Sequence, residues 1–279
     1  MKRFLTAAVL IPPVLALVFL APGWLFTLAV AAISVMAGWE FLTLAAARRI
    51  ASPPRTAVLV ALLLLFVGSS NWPDQTAILV GALSLALLVY CSFSSPTARV
   101  LPDAAAATLC LLYTGLTLTT LPSLRDQSNG ASLVVFLLCV VWAGDIAALY
   151  VGRAWGRHKL APHISPHKTW EGTIGSIAGS VLVASVLLSI ASLLATSSFD
   201  RFAARLVYPG GTAHWLWIAL LVNLAAQVGD LVESALKRSA GVKDSGAILP
   251  GHGGVLDRID AVLLAAPVLW YAQVVQSQF

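Results

Sequence analysis

Charge is what this chain has least of. Of 279 residues, 17 are Lys or Arg and 12 are Asp or Glu, which is 10% together, while hydrophobic residues make up 59%. Soluble globular domains carry about 25% charged and roughly 45–50% apolar residues. A soluble domain of that kind is therefore excluded, and the composition is that of a polytopic membrane protein. Cysteine is scarce too. Cys91, Cys110 and Cys139 lie in or at the end of apolar runs, with no CxxC or Cys/His spacing. That argues against a disulfide framework or a cysteine zinc site and leaves three small buried hydrophobes. The chain lacks an internal repeat, a low-complexity tail and a long linker. Its net charge of +5 is scattered over short loops instead of gathered on one face, which argues against nucleic acid as a partner.

What is abundant is apolar sequence. Runs cover residues 4–21, 24–45, 56–71, 76–92, 101–121, 132–151, 172–195, 214–236 and 260–277. A spanning helix needs about 20 apolar residues, so the expectation is an all-α polytopic protein with about nine transmembrane helices and a cytoplasmic N-terminus. The 56–71 and 76–92 runs are short and fit tilted or partly re-entrant helices. MKRFLTAAVL starts like a signal peptide, but Ala21-Pro22-Gly23 is a poor cleavage site, so the first run reads as a retained helix. With this topology 14 of the 17 Lys and Arg fall on the inner side, and only Arg125, Arg201 and Arg205 on the outer. The bias toward cytoplasmic loops supports the orientation and predicts an inner cell membrane protein with its polar loops facing the cytoplasm.

The two richest loops, 152–171 and 237–259, then share the cytoplasmic side. The expected organisation is a scaffold of N-terminal helices over 1–130 and a catalytic membrane domain over 131–279. Among the first five helices Glu40 and Asp103 are exceptional acids. Both are placed near cytoplasmic helix ends, where snorkelling toward water makes an acid cheap.

The eighth run carries Asn223, Gln227, Asp230, Ser234 and Lys237. Steps of three and four put them on one helix face. Asn223 and Gln227 read equally well as polar ties between helices or as site residues. Asp230 aims at the charged loop and reads as functional, whereas Glu233 lies about 60° off the stripe. Asp145 is an intramembrane acid, a functional candidate by default. Gly144, Ala148 and Gly152 have the spacing of a close helix–helix contact. After Pro162 and Pro166, Thr169 is placed to cap the seventh helix with Glu171 in its first turn. Lys168 beside that N-terminus suits an anion, and a plain inner loop obeying the charge rule suits it as well.

Residues 234–260 hold the densest chemistry. Lys237, Arg238 and Lys243 are cations within seven residues, His252 is flanked by Gly251, Gly253 and Gly254, and Asp257 and Asp260 share a face three apart. Cations suit phosphate, glycines let backbone approach a ligand, and carboxylates with Asp230 suit Mg²⁺, which takes one or two carboxylates plus phosphate oxygens and water. His252 among hard oxygens suits a phosphate contact or proton transfer better than metal ligation.

At these residues the chain resembles the phosphatidate cytidylyltransferase family. The ungapped match runs through Ser234, Lys237, Arg238, Lys243, Asp244, Gly246, Leu249, Pro250, His252, Gly253, Gly254, Asp257, Arg258 and Asp260. It extends upstream through Asp145, Tyr150, Gly152, Gly156, Ser165, Pro166, Lys168, Thr169, Glu171 and Gly172, so it covers about the C-terminal half. One departure is His167, where many members carry Lys. The resemblance implies transfer of a cytidylyl group from CTP to phosphatidate, giving CDP-diacylglycerol and pyrophosphate. The lipid phosphate is then the nucleophile, so no Ser-His-Asp or cysteine arrangement is needed. It implies metal binding by Asp230, Asp257 and Asp260. Phosphates would be contacted by Lys168, Lys237, Arg238, Lys243 and Arg258, supported by Thr169, Ser234, Gly253 and Gly254. Asp244 would orient Lys243 or a metal-bound water, and His252 would meet a phosphate or leaving oxygen. A second cation and a homodimer are further family-level expectations. A transporter is the competing reading; it would favour midplane polar groups and inverted repeats. A CDP-alcohol phosphotransferase is disfavoured, because its acidic run is missing.

Overall fold

The computed structural model describes residues 12–195, 206–246 and 253–276. The fold is all-α and polytopic. Helix α1 covers residues 12–19, and α2 covers Gly23–Ala46, α3 Arg55–Asn71, α4 Thr76–Ser94 and α5 Val100–Cys110. A π-helical segment, Leu111–Leu116, joins α5 to α6 at Thr117–Arg125. Then come α7 (Gly130–Trp155), a hairpin of β1 (Lys159–Ala161) and β2 (Ser165–Thr169), α8 (Trp170–Ala195), α9 (Thr212–Ala240) and α10 (Leu256–Gln276). These bounds follow the apolar runs closely from the second onward, while most of the first run lies outside the described residues. Among the described residues seven helices are long and apolar enough to cross a membrane, counting Thr97–Arg125 as one, and α3 with 17 residues is shorter. Large apolar side chains such as Ile78, Leu85 and Phe93 on α4 and Leu182 and Leu193 on α8 are exposed. Such a surface is tolerated where lipid replaces water.

The chain divides into two compact units. One comprises Met1–Ala21, Leu124–Val232 and Leu264–Phe279; the other comprises Pro22–Ser123 and Glu233–Leu263. Helices α9 and α10 are each shared, so one end of each belongs to either unit.

In the first unit α7 and α8 form the tightest pair, and small residues explain it. A Cβ at Gly175 would stand 2.6 Å from the side chain of Val151, and one at Gly179 would stand 2.5 Å from Cβ of Ala147. The close-contact reading of Gly144 and Gly152 holds: a Cβ on Gly144 would strike Ser176 and Ser180, and one on Gly152 would crowd Thr169. Without a hydrophobic drive between helices in lipid, such backbone approach supplies the packing. At the other end Phe136, Tyr208 and Trp215 stack with centroids 5.1–5.8 Å apart. The buried Trp215 satisfies its indole N–H on the carbonyl of Pro209 at 2.9 Å.

In the second unit the core is Leu42, Leu62, Leu65 and Leu111, none of them accessible. Gly38 of α2 and Gly115 of the π segment both accommodate Leu62. A π turn breaks the regular ladder, and Ser34 of α2 donates its hydroxyl to the carbonyl of Thr114 at 2.7 Å. That bond serves a main-chain acceptor where no water is available.

Two expectations about acids need correction. Glu40 and Asp103 do not snorkel: Glu40 is 2% exposed and Asp103 is fully buried. Each stays inside because it has main-chain donors. Asp103 accepts the amide of Ser52 at 2.6 Å, fixing the segment before α3, and Glu40 accepts from three donors described below.

Candidate active site

Among the described residues two clusters of polar side chains stand out, one in each unit. In the first, the stripe on α9 begins with a tie between helices. Asn223, buried, donates from Nδ2 to Oγ of Ser176 and Oγ of Ser180 on α8 at 2.9 and 2.8 Å, and accepts from Nε2 of Gln227 at 2.7 Å. Asn223 therefore ties α9 to α8, while the bond from Gln227 stays within α9.

One turn further along α9, Asp230 pairs with Lys168 of β2, Oδ2 to Nζ 2.7 Å, with both side chains partly accessible. Asp145 of α7 lies near enough for both charges to act on it. The local sequence explains how Lys168 reaches this place. Helix α7 ends at Trp155 with Gly156 already extended, and the chain returns as an antiparallel hairpin with Lys159 opposite Thr169 and Ala161 opposite Ser165. Trp170 closes it by donating its N–H to the carbonyl of His158 at 3.0 Å. Glu171 secures the base, its Oε1 lying 2.6 Å from Nδ1 of His158. Thr169 caps α8 as expected: the amide of Gly172 donates to its Oγ1 at 3.1 Å. Thr169 is also buried, pressed between the glycines of α7 and α8.

In the second unit Lys237 is the centre. Its Nζ lies 2.5 Å from Oε2 of Glu233, one turn back on α9, and 2.6 Å from Oδ1 of Asp257 at the start of α10. The Glu233 contact is an ion pair by distance, although it is not aligned as a hydrogen bond. All three side chains are at most 12% exposed. Glu233 is therefore more central than its angle on the stripe indicates; the i to i+4 spacing to Lys237 was the signal for it. The other oxygen of Asp257, Oδ2, accepts from the amide and hydroxyl of Ser245 at 2.9 and 2.8 Å and from the amide of Gly254 at 2.8 Å. Gly253 has φ 76°, and a Cβ there would meet Asp257 Oδ2 at 2.7 Å. The glycine is needed on both counts.

The remaining nominated residues are placed as follows. Ser234 is buried on α9. Arg238 is exposed and donates from Nη1 to the carbonyl of Val242 at 3.0 Å, closing the end of α9. Lys243 and Asp244 are exposed on the following turn. Arg258 is exposed in the first turn of α10. Asp260 is partly buried and accepts the amide of Ala261 at 2.8 Å. His252 lies outside the described residues. Among the described residues no three His, Cys, Asp or Glu side chains converge as a ready metal cage.

The residue sequence reasoning missed is Glu40. Its carboxylate accepts the amide of Val255 at 2.9 Å, the amide of Leu256 at 2.8 Å and lies 3.1 Å from Oγ of Ser245. Nothing near Glu40 in sequence signals a partner more than 200 positions away.

A grouping of buried lysine, carboxylates and glycine-supported amides suits phosphate chemistry. The chain is similar to the phosphatidate cytidylyltransferase of Pseudomonas aeruginosa, 33% identical across 97% of both chains, and to that of Haemophilus influenzae, 31% identical across 97% of both. It is 46% identical over 161 residues to the phosphatidate cytidylyltransferase of Brucella suis; that match takes in 57% of this chain and spans only 54% of the relative's length. The model of the cytidylyltransferase family matches residues 1–275. With the match running from the first helix to the last, this chain belongs to the cytidylyltransferase family.

Proposed function

We propose that this protein transfers the cytidylyl group of CTP to phosphatidate at the cytoplasmic face of the membrane, releasing pyrophosphate and forming CDP-diacylglycerol. The observation that carries the reading is the Glu233–Lys237–Asp257 cluster. It lies in a family whose members similar to this chain over nearly their whole length are named phosphatidate cytidylyltransferase. The distribution of Lys and Arg supports the cytoplasmic orientation.

The phosphate of phosphatidate attacks the α-phosphorus of CTP, and the bond to pyrophosphate breaks. Both reactants are anions, so the protein's task is to offset their repulsion and align them. In the second unit Lys237 supplies a buried ammonium, with Arg238, Lys243 and Arg258 as outer cations toward phosphate. The amides that follow glycine at 253 and 254 let the backbone come close. In the first unit Lys168, held by Asp230, supplies a further cation.

A divalent cation fits these residues by the chemistry of the donors. Glu233 keeps a buried oxygen, Oε1, with no hydrogen-bond donor among the described residues, and Asp257 and Asp260 add hard oxygens beside it. Magnesium needs only one or two protein carboxylates when phosphate oxygens complete its shell. Within the second unit Asp257 and Asp260 would hold it, with Glu233 adjoining. When bound, such an ion offsets charge on the phosphates and the leaving pyrophosphate. Lys237 keeps the buried acids Glu233 and Asp257 paired.

The test is direct. Purified protein in detergent with phosphatidate, labelled CTP and Mg²⁺ should form labelled CDP-diacylglycerol with one pyrophosphate per turnover, and chelation should stop it. Failure across a panel of lipid phosphates and nucleotides would refute the reading.

A further inference from the structure

We propose that Glu40 is a positioning residue for this transfer: through Ser245 and the first turn of α10, it sets the carboxylate of Asp257. The inference rests on the cytidylyl-transfer reading above and adds a residue from a helix that otherwise carries almost no polar groups.

Three observations converge on it. First, Glu40 is inaccessible, yet each of its donors comes from the segment bearing Asp257. Its Oε1 accepts the amide of Val255 at 2.9 Å and its Oε2 the amide of Leu256 at 2.8 Å. These are main-chain donors at the N-terminal end of α10, where a helix has no internal acceptors to offer. A carboxylate there also opposes the positive end of the helix dipole. Glu40 is thus a cap delivered from another helix.

Second, Ser245 is shared. Its Oγ lies 3.1 Å from Oε2 of Glu40 and 2.8 Å from Oδ2 of Asp257. One hydroxyl has one proton to donate. The serine therefore donates to one carboxylate at a time while lying against both, so a shift of Glu40 is felt at Asp257 through it.

Third, the backbone is shaped around Glu40. A Cβ on Gly246 would stand 2.5 Å from its Oε1, and a Cβ on Gly254 would collide with its Oε2 and with Oγ of Ser245. Gly254 is the same residue whose amide donates to Asp257. Ser245 and Gly254, which both donate to Oδ2 of Asp257, both also rest against Glu40. A purely mechanical contact between helices would be met by an apolar side chain at lower desolvation cost; the acid serves the donors of Ser245, Val255 and Leu256.

The test compares full-length parent with Glu40→Gln and Glu40→Asp, and uses Ser34→Ala as a packing control. Gln keeps the shape but turns one acceptor into a donor. Residues that hydrogen-bond behind a metal-ligating side chain, the part proposed for Asp257, cost about 10–100-fold when removed. Glu40→Gln is therefore expected to lower kcat about 10–100-fold while KM for phosphatidate stays within about twofold, with Glu40→Asp intermediate. Hydrogen–deuterium exchange provides the second readout: the amides of Val255 and Leu256 should lose protection in Glu40→Gln and keep it in Ser34→Ala. Unchanged protection overturns the anchor. Lost protection with parental kcat overturns its part in positioning. If the parent itself makes no CDP-diacylglycerol, the reaction assignment fails, and the exchange data still decide whether Glu40 holds this turn.

Discussion

Two buried polar networks hang from helix α9, and they are built on opposite terms. Around Asn223 every partner is neutral and the hydrogen bonds close on themselves: Gln227 gives to Asn223, and Asn223 gives to Ser176 and Ser180. Around Lys237 two carboxyl groups face one ammonium, and an oxygen of Glu233 has no donor among the described residues. A closed neutral network needs nothing more and holds helices together. An unbalanced charged one keeps capacity for a cation or for phosphate groups. Burial alone does not separate structural from chemical residues here; the balance of donors and acceptors does.

That contrast can be broken by substitution. The largest effect is expected at Asp257→Asn, which keeps the shape but removes the charge: transfer should fall at least about 100-fold with membrane insertion intact, and near-parental turnover would remove Asp257 from the chemistry. Lys237→Met strands two buried carboxyls and should cost about 3–5 kcal/mol of stability, read as denaturation in detergent micelles. Adding Glu233→Gln should recover part of that stability without restoring transfer; full recovery of activity would show that the charge is dispensable. In the close helix pair, Gly175→Leu must displace Val151 and is expected to cost about 1–3 kcal/mol, measured the same way. Asn223→Ala should be the mildest, about 0.6 kcal/mol for a hydrogen bond between membrane helices, with transfer near the parental rate. If Asn223→Ala abolished transfer while Asp257→Asn spared it, the division of labour between the networks would be reversed.

Much of this was legible because membrane helices announce themselves. From the second apolar run onward, helix positions followed hydropathy, since lipid demands long apolar segments with their backbone bonds closed internally. The Thr169 cap was legible too, because a cap depends on residues within one turn. The charged segment at 234–260 stood out against an apolar background, and its family resemblance agrees with the full-length matches. What stayed hidden depended on distant partners. Glu40 in isolation looks the same whether it reaches water or three donors more than 200 positions away. The hairpin at 159–169 was visible only as a broken helix, because two prolines report what cannot form and not which strands pair. Glu233 was set aside on angle, although its partner four residues on was in plain view.

The join between β2 and α8 has a consequence of its own. The strand ends at Thr169 and the helix begins at Trp170, with no residue between them. Lys168 thus projects from backbone between the paired Ser165 and Thr169 of the hairpin, one residue before a capped helix. A lysine on a loose loop would surrender main-chain freedom each time it met an anion, at about 1–2 kcal/mol for each residue ordered. Here that freedom was lost once, during folding. With the main chain already ordered, the part of Lys168 that must still settle on a ligand is its side chain, now paired with Asp230.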